Sequence, residues 1–455
     1  MKRAALFLLA IFFITATGAQ VQVRPFPAPG YEKRIRQSID QLKVVDTHEH
    51  LSGIANMKWR YHGSQPDFMF LFSIYAYDDL QSAGIPLQLL DNKLMSDSLT
   101  VKEKWKILKP YWEGSSNTAY NRAVLFTADK LFGVKNIDSS TVEELSNKIR
   151  IAYQDESGWF NKVLKEKCGI QYVVADDWDF SGHLFDPKIF RAVKRFDYFI
   201  SIDSKTEIEN LSKWTNRGIN SLDDLVSTLE FAFKGAMEKG NYLGIKSALA
   251  YFRILFYEDV KKEKAQEVFN KIMNSQTKLS FDEVKPLQDY MMHRVLDLAN
   301  RHNLPVQIHT GLQAGNGDII ENSKPTHLVN LIQEYPNVKF ILFHGSYPYG
   351  GELATLAKNF SNVYIDMCWL YVISPTYSER YLNEWLETVP ANKIMAFGGD
   401  YFSIEGVYSH LMFAKQIVSK VLSDKVKAGY FTEDEAIRIA RMILHDNAIN
   451  ILKIK

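Results

Sequence analysis

Short apolar runs alternate with longer helical stretches through most of this chain, and this alternation restricts the fold more than any other feature. A first run spans Val44 to His50, and seven more follow from Cys168 onward. These are Ile170–Ala175, Tyr198–Ile202, Tyr242–Ala250, Pro305–His309, Phe340–His344, Val363–Asp366 and Ile394–Phe397. Helical patterns lie between them, at Asp223–Lys239, Phe281–His302, Thr326–Glu334 and Thr432–Ile443. Eight strands that alternate with helices predict an α/β fold, a (β/α)₈ TIM-type barrel rather than an open sheet.

The stretch between the first two runs, about residues 52–167, carries few strand signals and predicts a helical insertion after strand 1. Its charged and aromatic patterns at Val101–Trp112 and Thr141–Tyr153 favour helices. Ser140 and Glu143 have the spacing of a capping box, which predicts a helix start there. We expect the insertion to lie over the mouth of one barrel domain that extends over residues 20–455.

Groups that bind metals or protons lie where the predicted strands end. They are His48 and His50 after strand 1, Lys246 on strand 4, His309 after strand 5, His344 after strand 6 and Asp400 after strand 8. Side chains at positions i and i+2 of a strand share a face, so Asp46, His48 and His50 should point the same way. Catalytic groups of such barrels gather at the C-terminal strand ends. Imidazoles together with a carboxylate suit a divalent metal, zinc above all.

The charge balance restricts the partners. The 455 residues have a formal net charge of +1, so no basic surface for nucleic acid is expected. We therefore expect a small-molecule substrate and no nucleic-acid partner, and a homo-oligomer stays open.

The first residues resemble an export signal. Lys2 and Arg3 are positive, the apolar run Ala4 to Ala16 follows, and small residues lead to a cleavage point near Ala19. We expect residues 1–19 to be removed, and the protein to be periplasmic or extracellular and free of the membrane. An uncleaved anchor is the alternative.

Cys168 and Cys368 lie in apolar runs and are interpreted as buried small hydrophobes, with a disulfide left open.

Several motifs together resemble the metal-dependent amidohydrolase superfamily, and specifically its amidohydrolase-2 branch. They are Asp46 to His50 (DTHEH), Val306 to Gly311 (VQIHTG), Leu342 to Tyr349 (LFHGSYPY), Asn362 to Asp366 (NVYID), Asp400, and His445 to Ala448 (HDNA). Gly244 to Ser247 and Ala250 to Arg253 are similar to the amidohydrolase-like domain that is fused to glutamine-synthetase-like proteins. The resemblance extends over residues 40–455. The long helical insertion also looks like that of the more distant uronate isomerases, which share the fold but do not hydrolyse.

The resemblance implies roles for these residues. The metal ligands it implies are His48, His50, His309 and Asp400. Asp400 and His344 are the implied catalytic residues: Asp400 accepts a proton from the activated water, while His344 stabilises an oxyanion or moves protons. A divalent metal with an open coordination position lowers the pKa of water to about 7. Lys246 has three interpretations: a carbamylated bridge to a second metal, which His344 would also bind; an ammonium that binds a substrate carboxylate; or a structural ion pair.

Other polar and aromatic residues near the strand ends are weaker candidates. Arg253 and its neighbour Tyr251 are predicted to bind an acidic group of the substrate, because arginine pairs bidentately with carboxylates; a surface salt bridge is the alternative for Arg253. Glu49 points away from the two histidines and is assigned a structural role. Four further residues are predicted either to line the pocket or to have a structural role: Asn316, Asp318, Trp178 and Trp369. The other histidines are assigned to the surface, to caps or to packing: His62, His183, His293, His302, His327, His410 and His445.

Three functions are compatible with these residues. The first is a metal-dependent hydrolase that cleaves an amide C–N bond in a small, carboxylate-bearing substrate. The second keeps the metal and the fold but isomerises a uronate or removes a carboxyl group. The third is an inactive barrel that binds a metabolite, and an intact donor set argues against it, since buried unpaired polar groups are costly.

Overall fold

A computed structural model describes residues 28–51, 53, 57, 60–176, 188–239 and 242–455 of the chain. Its centre is an 8-stranded sheet in which each strand pairs in parallel with the next one along the chain. The strands are β1 (Val44–Glu49), β2 (Ile170–Asp176), β3 (Phe190–Arg195), β4 (Tyr242–Ser247), β5 (Val306–Ile308), β6 (Phe340–Leu342), β7 (Val363–Asp366) and β8 (Ile394–Met395).

Backbone hydrogen bonds join β1 to the segment that follows β8. Thr47 N donates to Phe397 O at 3.1 Å, and His50 N donates to Tyr401 O at 3.1 Å. The first and last strands therefore meet, and the sheet curls into a nearly closed ring. The predicted (β/α)₈ barrel is confirmed.

Helices precede, interrupt and surround this ring. Helix α1 (Tyr31–Gln41) comes before β1. Between β1 and β2 lie α2 (Tyr75–Ser82), α3 (Leu87–Leu89), α4 (Val101–Ser115), α5 (Ala119–Phe132), α6 (Val142–Ala152) and α7 (Glu156–Asn161). The later helices are α8 (Lys205–Thr215), α9 (Leu222–Lys239), α10 (Lys262–Asn274), α11 (Phe281–His302), α12 (Val329–Glu334), α13 (Gly350–Asn359), α14 (Leu370–Ile373), α15 (Pro375–Thr388), α16 (Ile404–Lys427), α17 (Glu433–Arg441) and α18 (Asn447–Leu452). The helical insertion after strand 1 is thus confirmed.

The third strand lies elsewhere than predicted. It spans Phe190–Arg195, whereas the predicted run Tyr198–Ile202 begins in a 3₁₀ turn over Asp197–Phe199. Three of the six residues of β3 are basic, and only Phe190 and Val193 are buried, so the strand has little apolar character. Phe199, Ile200 and Ile202 are buried because the irregular segment packs against the core, which explains their apolar pattern.

Two smaller expectations are also corrected. Strand β4 ends at Ser247 instead of Ala250, and β5 and β6 end one and two residues before His309 and His344. The capping box at Ser140 is wrong: Thr141 caps α6 without a side-chain bond, and Ser140 Oγ donates to Asp138 instead. Capping boxes are present at Thr100, Ser280 and Thr432, each with a glutamate three positions later.

The insertion is anchored to the start of α16, next to the end of β8. Glu405 of α16 is buried and accepts hydrogen bonds from Trp159 Nε1 at 2.8 Å and Tyr153 OH at 3.1 Å. Tyr75 stacks on Trp369, with ring centroids 4.5 Å apart. These contacts hold the insertion over the C-terminal ends of the strands.

Both cysteines, Cys168 and Cys368, are buried and free, in line with their interpretation as small hydrophobes. No helix among the described residues combines the length and apolar character needed to cross a membrane. The expected signal peptide, residues 1–19, lies outside the described residues and stays a prediction.

Candidate metal centre and cavity

Three donor side chains converge at the junction of β1 and the segment after β8. His48, His50 and Asp400 each offer one atom, and these atoms lie within 4.8 Å of one another. Asp400 Oδ1 is 3.2 Å from His50 Nε2 and 3.5 Å from His48 Nε2. Asp46 does not join them, because its Oδ1 accepts the backbone N–H groups of His48 and Gly399.

The backbone after β8 adopts an unusual conformation to present Asp400. Asp400 has a φ of 60°, and its N–H donates to His48 O at 2.9 Å. A left-handed non-glycine residue costs about 1–3 kcal/mol and persists where its surroundings over-determine it. A Cβ on the preceding Gly399 would lie 1.7 Å from Glu49 Oε1, so a glycine is required for this close approach.

The protonation states at this cluster suit a cation. Burial, together with the charges of Lys246 and His50, keeps the pKa of His48 well below its usual value, so its ring is neutral. Burial alone would raise the pKa of Asp400, but the hydrogen bond from His50 and the nearby imidazoles bring it well below the usual value. A neutral imidazole and an ionised carboxylate are donors that divalent transition metals prefer.

An orphaned pair of polar atoms provides a direct test of the fit. His48 is fully buried, and among the described residues neither of its ring nitrogens has a hydrogen-bond partner. Such atoms are costly to bury unless something binds them. A cation held by His48, His50 and Asp400 would satisfy this need, so the residues fit a divalent metal.

A second group of donors, His344, Cys368 and Asp400, also lies within 4.8 Å. Burial raises the pKa of the Cys368 thiol well above its usual value, so the thiolate that a metal would need is disfavoured. The first cluster is therefore the better candidate.

His309 and His344 face each other beside the cluster. His344 Nε2 is 2.9 Å from His309 Nδ1, while His344 Nδ1 and His309 Nε2 lie 3.1 and 2.9 Å from the carbonyls of Cys368 and Leu312. A carbonyl oxygen only accepts hydrogen bonds, so each ring must donate an N–H to its carbonyl. If both rings are neutral, the two nitrogens that face each other then both carry a lone pair and no proton. The contact thus needs one further proton or the rotation of a ring. Because burial lowers the pKa of His344 to about 4, that proton is held weakly near pH 7.

A cationic group lies between these two clusters. Lys246 Nζ is 3.7 Å from the centre of the Phe343 ring, and burial lowers the pKa of its ammonium to about 8. Within the described part of the chain, Lys246 forms no ion pair at 4.0 Å or less, so the structural interpretation is the weakest of the three. Arg195, at the end of β3, binds Asp176 at 2.5 Å, and Asp176 lies 3.7 Å from His48.

A cavity of about 300 Å³ opens onto these groups. His50, His309, Lys246, Asp400, Arg195 and Tyr251 contribute to its wall from the barrel, and the insertion adds Arg60, Tyr75 and Asp78. Tyr75 OH donates to the backbone oxygen of Asp400 and lies 3.1 Å from its Oδ2. Arg60 lies over the Tyr77 ring at 3.9 Å and pairs with Asp78 at 3.3 Å.

Comparison with known proteins agrees with this geometry. The model of a family described as amidohydrolase matches residues 275–454, which include His309, His344 and Asp400. The resemblance to the amidohydrolase-2 branch is confirmed. Protein fluG of Emericella nidulans is 32% identical over 217 residues, which are 45% of this chain. They make up 25% of fluG, so the chain spans about a quarter of that relative.

Solved structures show the same fold over almost the whole chain. Uronate isomerase from Thermotoga maritima is 17% identical, with a TM-score of 0.75 over 93% of this chain and 97% of that one. Glucuronate isomerase from Caulobacter crescentus is 16% identical, with a TM-score of 0.70 over 95% and 96%. At these identities the likeness concerns the fold alone.

The amidohydrolase-type site differs in part from what the sequence predicts. His48, His50 and Asp400 come together, whereas both ring nitrogens of His309 point at His344 and Leu312, so the ligand role of His309 stays a prediction. Tyr251 lines the cavity, with its ring 4.6 Å from that of His309.

The substrate-binding role of Arg253 is wrong. Arg253 is buried, and its guanidinium binds Asp289 at 2.6 Å and Gln288 at 3.1 Å on α11, outside the cavity. The cations on the cavity wall are instead Lys246, Arg60 and Arg195. Arg195 was missed because β3 was misplaced, and the correct strand would have put it at a C-terminal strand end. Arg60 and Tyr75 carry no spacing signal that links them to the site.

The remaining candidates have structural contacts. Trp369 is buried in the stack with Tyr75, and Asn316 Nδ2 donates to Ser82 Oγ of α2 at 2.9 Å. Asp318 follows in the same glycine-rich loop, where partial burial raises its pKa. His410 lies behind the metal cluster, 3.1 Å from Gly399 O. His183 and Trp178 lie outside the described residues.

Proposed function

We propose that this protein is a metal-dependent hydrolase that cleaves the C–N bond of an amide in a small, carboxylate-bearing substrate. The observation that carries the proposal is the buried cluster of His48, His50 and Asp400 at the wall of a cavity that also contains three cationic side chains. The confirmed amidohydrolase resemblance supports the reaction class.

The side chains divide the work as follows. His48, His50 and Asp400 would hold the metal, zinc above all, with His309 as a further ligand after rotation of its ring. The metal would supply an activated water and polarise the amide carbonyl. Asp400, which is ionised, accepts the proton of the attacking water and returns it to the leaving amine. Rotation of the His309 ring would also free His344 Nε2, which would donate a hydrogen bond to the developing oxyanion when it carries a proton.

Three cations are available for the carboxylate of the substrate. Lys246 is the most buried of them and forms no ion pair at 4.0 Å or less among the described residues, which supports it as a partner for an incoming carboxylate. Arg195 and Arg60 are already bound to Asp176 and Asp78, which fixes their direction. We propose that Lys246 binds the carboxylate of the substrate and that Arg195 and Arg60 orient it, because the paired N–H donors of arginine fix the direction of a carboxylate.

A second candidate function is the isomerisation of a uronate. The fold of two uronate or glucuronate isomerases matches more than nine tenths of this chain, including the region of the insertion. The same cations would suit the carboxylate of a sugar acid. An inactive barrel is disfavoured by the ring of His48, because a fully buried imidazole without a hydrogen-bond partner among the described residues is costly unless something binds it.

One experiment separates these functions. The metal content of the purified protein is measured, and the protein is then assayed with amides that carry a carboxylate, with the methyl esters of the same amides, and with uronates. We expect stoichiometric zinc in the purified protein. The amides that carry a free carboxylate should release amine, and their methyl esters should release much less. Chelation should remove the zinc and abolish amine release. The His48→Ala/His50→Ala variant is the control and should contain little metal. A metal-loaded protein that isomerises uronates and releases no amine would overturn the hydrolase proposal.

We also propose that the mature protein is exported. The charged start and the short apolar run support this location. Mass spectrometry of protein recovered from the cell envelope or the medium should find an N-terminus close to residue 20. An intact Met1 on that material would exclude cleavage.

A further inference from the structure

Two carboxyl groups of β1 hold the segment that presents Asp400. Glu49 Oε2 accepts the N–H of Tyr401 at 2.8 Å, and Asp46 Oδ1 accepts the N–H of Gly399 at 3.0 Å. The intervening N–H of Asp400 donates to His48 O at 2.9 Å. Three successive backbone N–H groups are therefore bound to β1, and Asp400 lies in the middle of them.

Glu49 also fills the space next to Gly399. Both acids are fully buried. Glu49 Oε1 lies 1.7 Å from the point that a Cβ on Gly399 would occupy. Gly399 is not in the left-handed region, so a side chain is excluded there by Glu49 and not by the backbone angle. Glu49 therefore contacts the segment in two ways: one carboxyl oxygen accepts the N–H of Tyr401, and the other occupies the space beside Gly399.

We propose that Glu49, together with Asp46, is a positioning residue that holds residues 399–401 so that the Asp400 carboxylate faces His48 and His50. Glu49 has no contact with the cavity; it acts through the backbone on both sides of Asp400. The inference rests on the proposed metal centre and is independent of which substrate is cleaved. Partners of this kind typically change metal affinity or activity by about 10- to 100-fold when they are removed.

The test compares Glu49→Ala with Glu49→Gln, using Zn²⁺ alone as the probe in competition with a chromophoric chelator. The alanine variant should bind Zn²⁺ about 10- to 100-fold more weakly than the wild type. The glutamine variant keeps an oxygen for the Tyr401 N–H and should bind within about threefold of the wild type. Asp289→Ala is the matched control, because Asp289 is an equally buried acid bound to Arg253 far from the cluster; it should lower the melting temperature and leave Zn²⁺ affinity unchanged.

A double-mutant cycle with Gly399→Ala tests the steric half of the argument. Gly399→Ala should weaken Zn²⁺ binding strongly beside Glu49, and should add little in the Glu49→Ala background, where the added methyl has room. If Glu49→Ala does not fold, Glu49→Asp replaces it, since the shorter side chain cannot reach the Tyr401 N–H. A folded alanine or aspartate variant with wild-type Zn²⁺ affinity, or strictly additive effects in the cycle, would overturn the positioning role. Absence of Zn²⁺ binding by the wild-type protein would instead refute the proposed metal centre.

Discussion

The junction of β1 with the segment after β8 and the helical insertion both reach the cavity, but they do so in different ways. The junction is fixed by backbone hydrogen bonds and buried carboxyl groups, and it provides His48, His50 and Asp400. The insertion is fixed by side-chain contacts, namely aromatic stacking and hydrogen bonds to the carboxyl group of Glu405, and it provides Arg60 and Tyr75. We propose that the barrel supplies the metal ligands together with Lys246 and Arg195, and that the insertion adds Arg60 to the substrate-binding wall.

Asp400→Asn should have the largest effect on the reaction, and it tests the barrel side of this comparison. Asparagine has the same shape and can still accept from Tyr75, but it is a very poor base. We expect kcat to fall by about 10²- to 10⁴-fold, while the melting temperature changes little. Measuring kcat and thermal unfolding on the same preparation decides the point. A variant with near-wild-type kcat would remove Asp400 from the mechanism.

Arg253→Ala tests whether a cation outside the cavity contributes to stability alone, in contrast to the cations on the cavity wall, which are proposed to bind the substrate. Removing Arg253 takes one charged partner from the buried Asp289, which keeps its ion pair with Lys285. The free energy of unfolding should therefore fall by about 1–3 kcal/mol. KM should stay within about twofold of the wild type, because Arg253 does not touch the cavity. Urea denaturation and steady-state kinetics measure the two quantities. A large rise in KM without loss of stability would restore the role predicted from the sequence.

Arg60→Ala tests the insertion side. Loss of a charge-assisted hydrogen bond to the substrate should raise KM by about 10- to 100-fold, with a smaller effect on kcat. The control is Arg36→Ala, which removes an exposed arginine paired with Asp40 on α1. If both variants behave alike, or if Arg60→Ala lowers kcat alone, then the insertion does not select the substrate in the proposed way.

Tyr75→Phe should have the smallest effect, because it removes only the hydrogen bond from the insertion to Asp400. We expect kcat/KM to fall by about 3- to 10-fold, as for one neutral hydrogen bond. Tyr120→Phe is a close control: Tyr120 stacks on the same Tyr75 ring, and its hydroxyl has no hydrogen-bond partner among the described residues. Equal losses in the two variants would show that the stack matters and the bond to Asp400 does not.

The sequence predicts the barrel side of the site better than the insertion side. The histidines and Asp400 follow strands whose apolar runs are continuous, because parallel strands covered by helices are buried on both faces. Strand β3 does not follow this rule, since its basic residues are partly exposed. Because the predicted third strand lies elsewhere, the sequence does not identify Arg195 as a residue of the site. Arg60 and Tyr75 reach the cavity through packing between distant helices, which leaves no local pattern. Arg253 was misassigned because its buried partner Asp289 lies on another element.

The junction of β1 with the last strand also affects how the protein is made. The hydrogen bond between Glu49 and Tyr401 joins positions that are 352 residues apart, and contacts of such separation form late. His48 and His50 leave the ribosome long before Asp400 does. A nascent chain therefore carries two donors without their carboxylate until the eighth strand docks. Uptake of the proposed metal should then follow completion of the ring, and the proposed reactive centre would be complete only inside the assembled barrel.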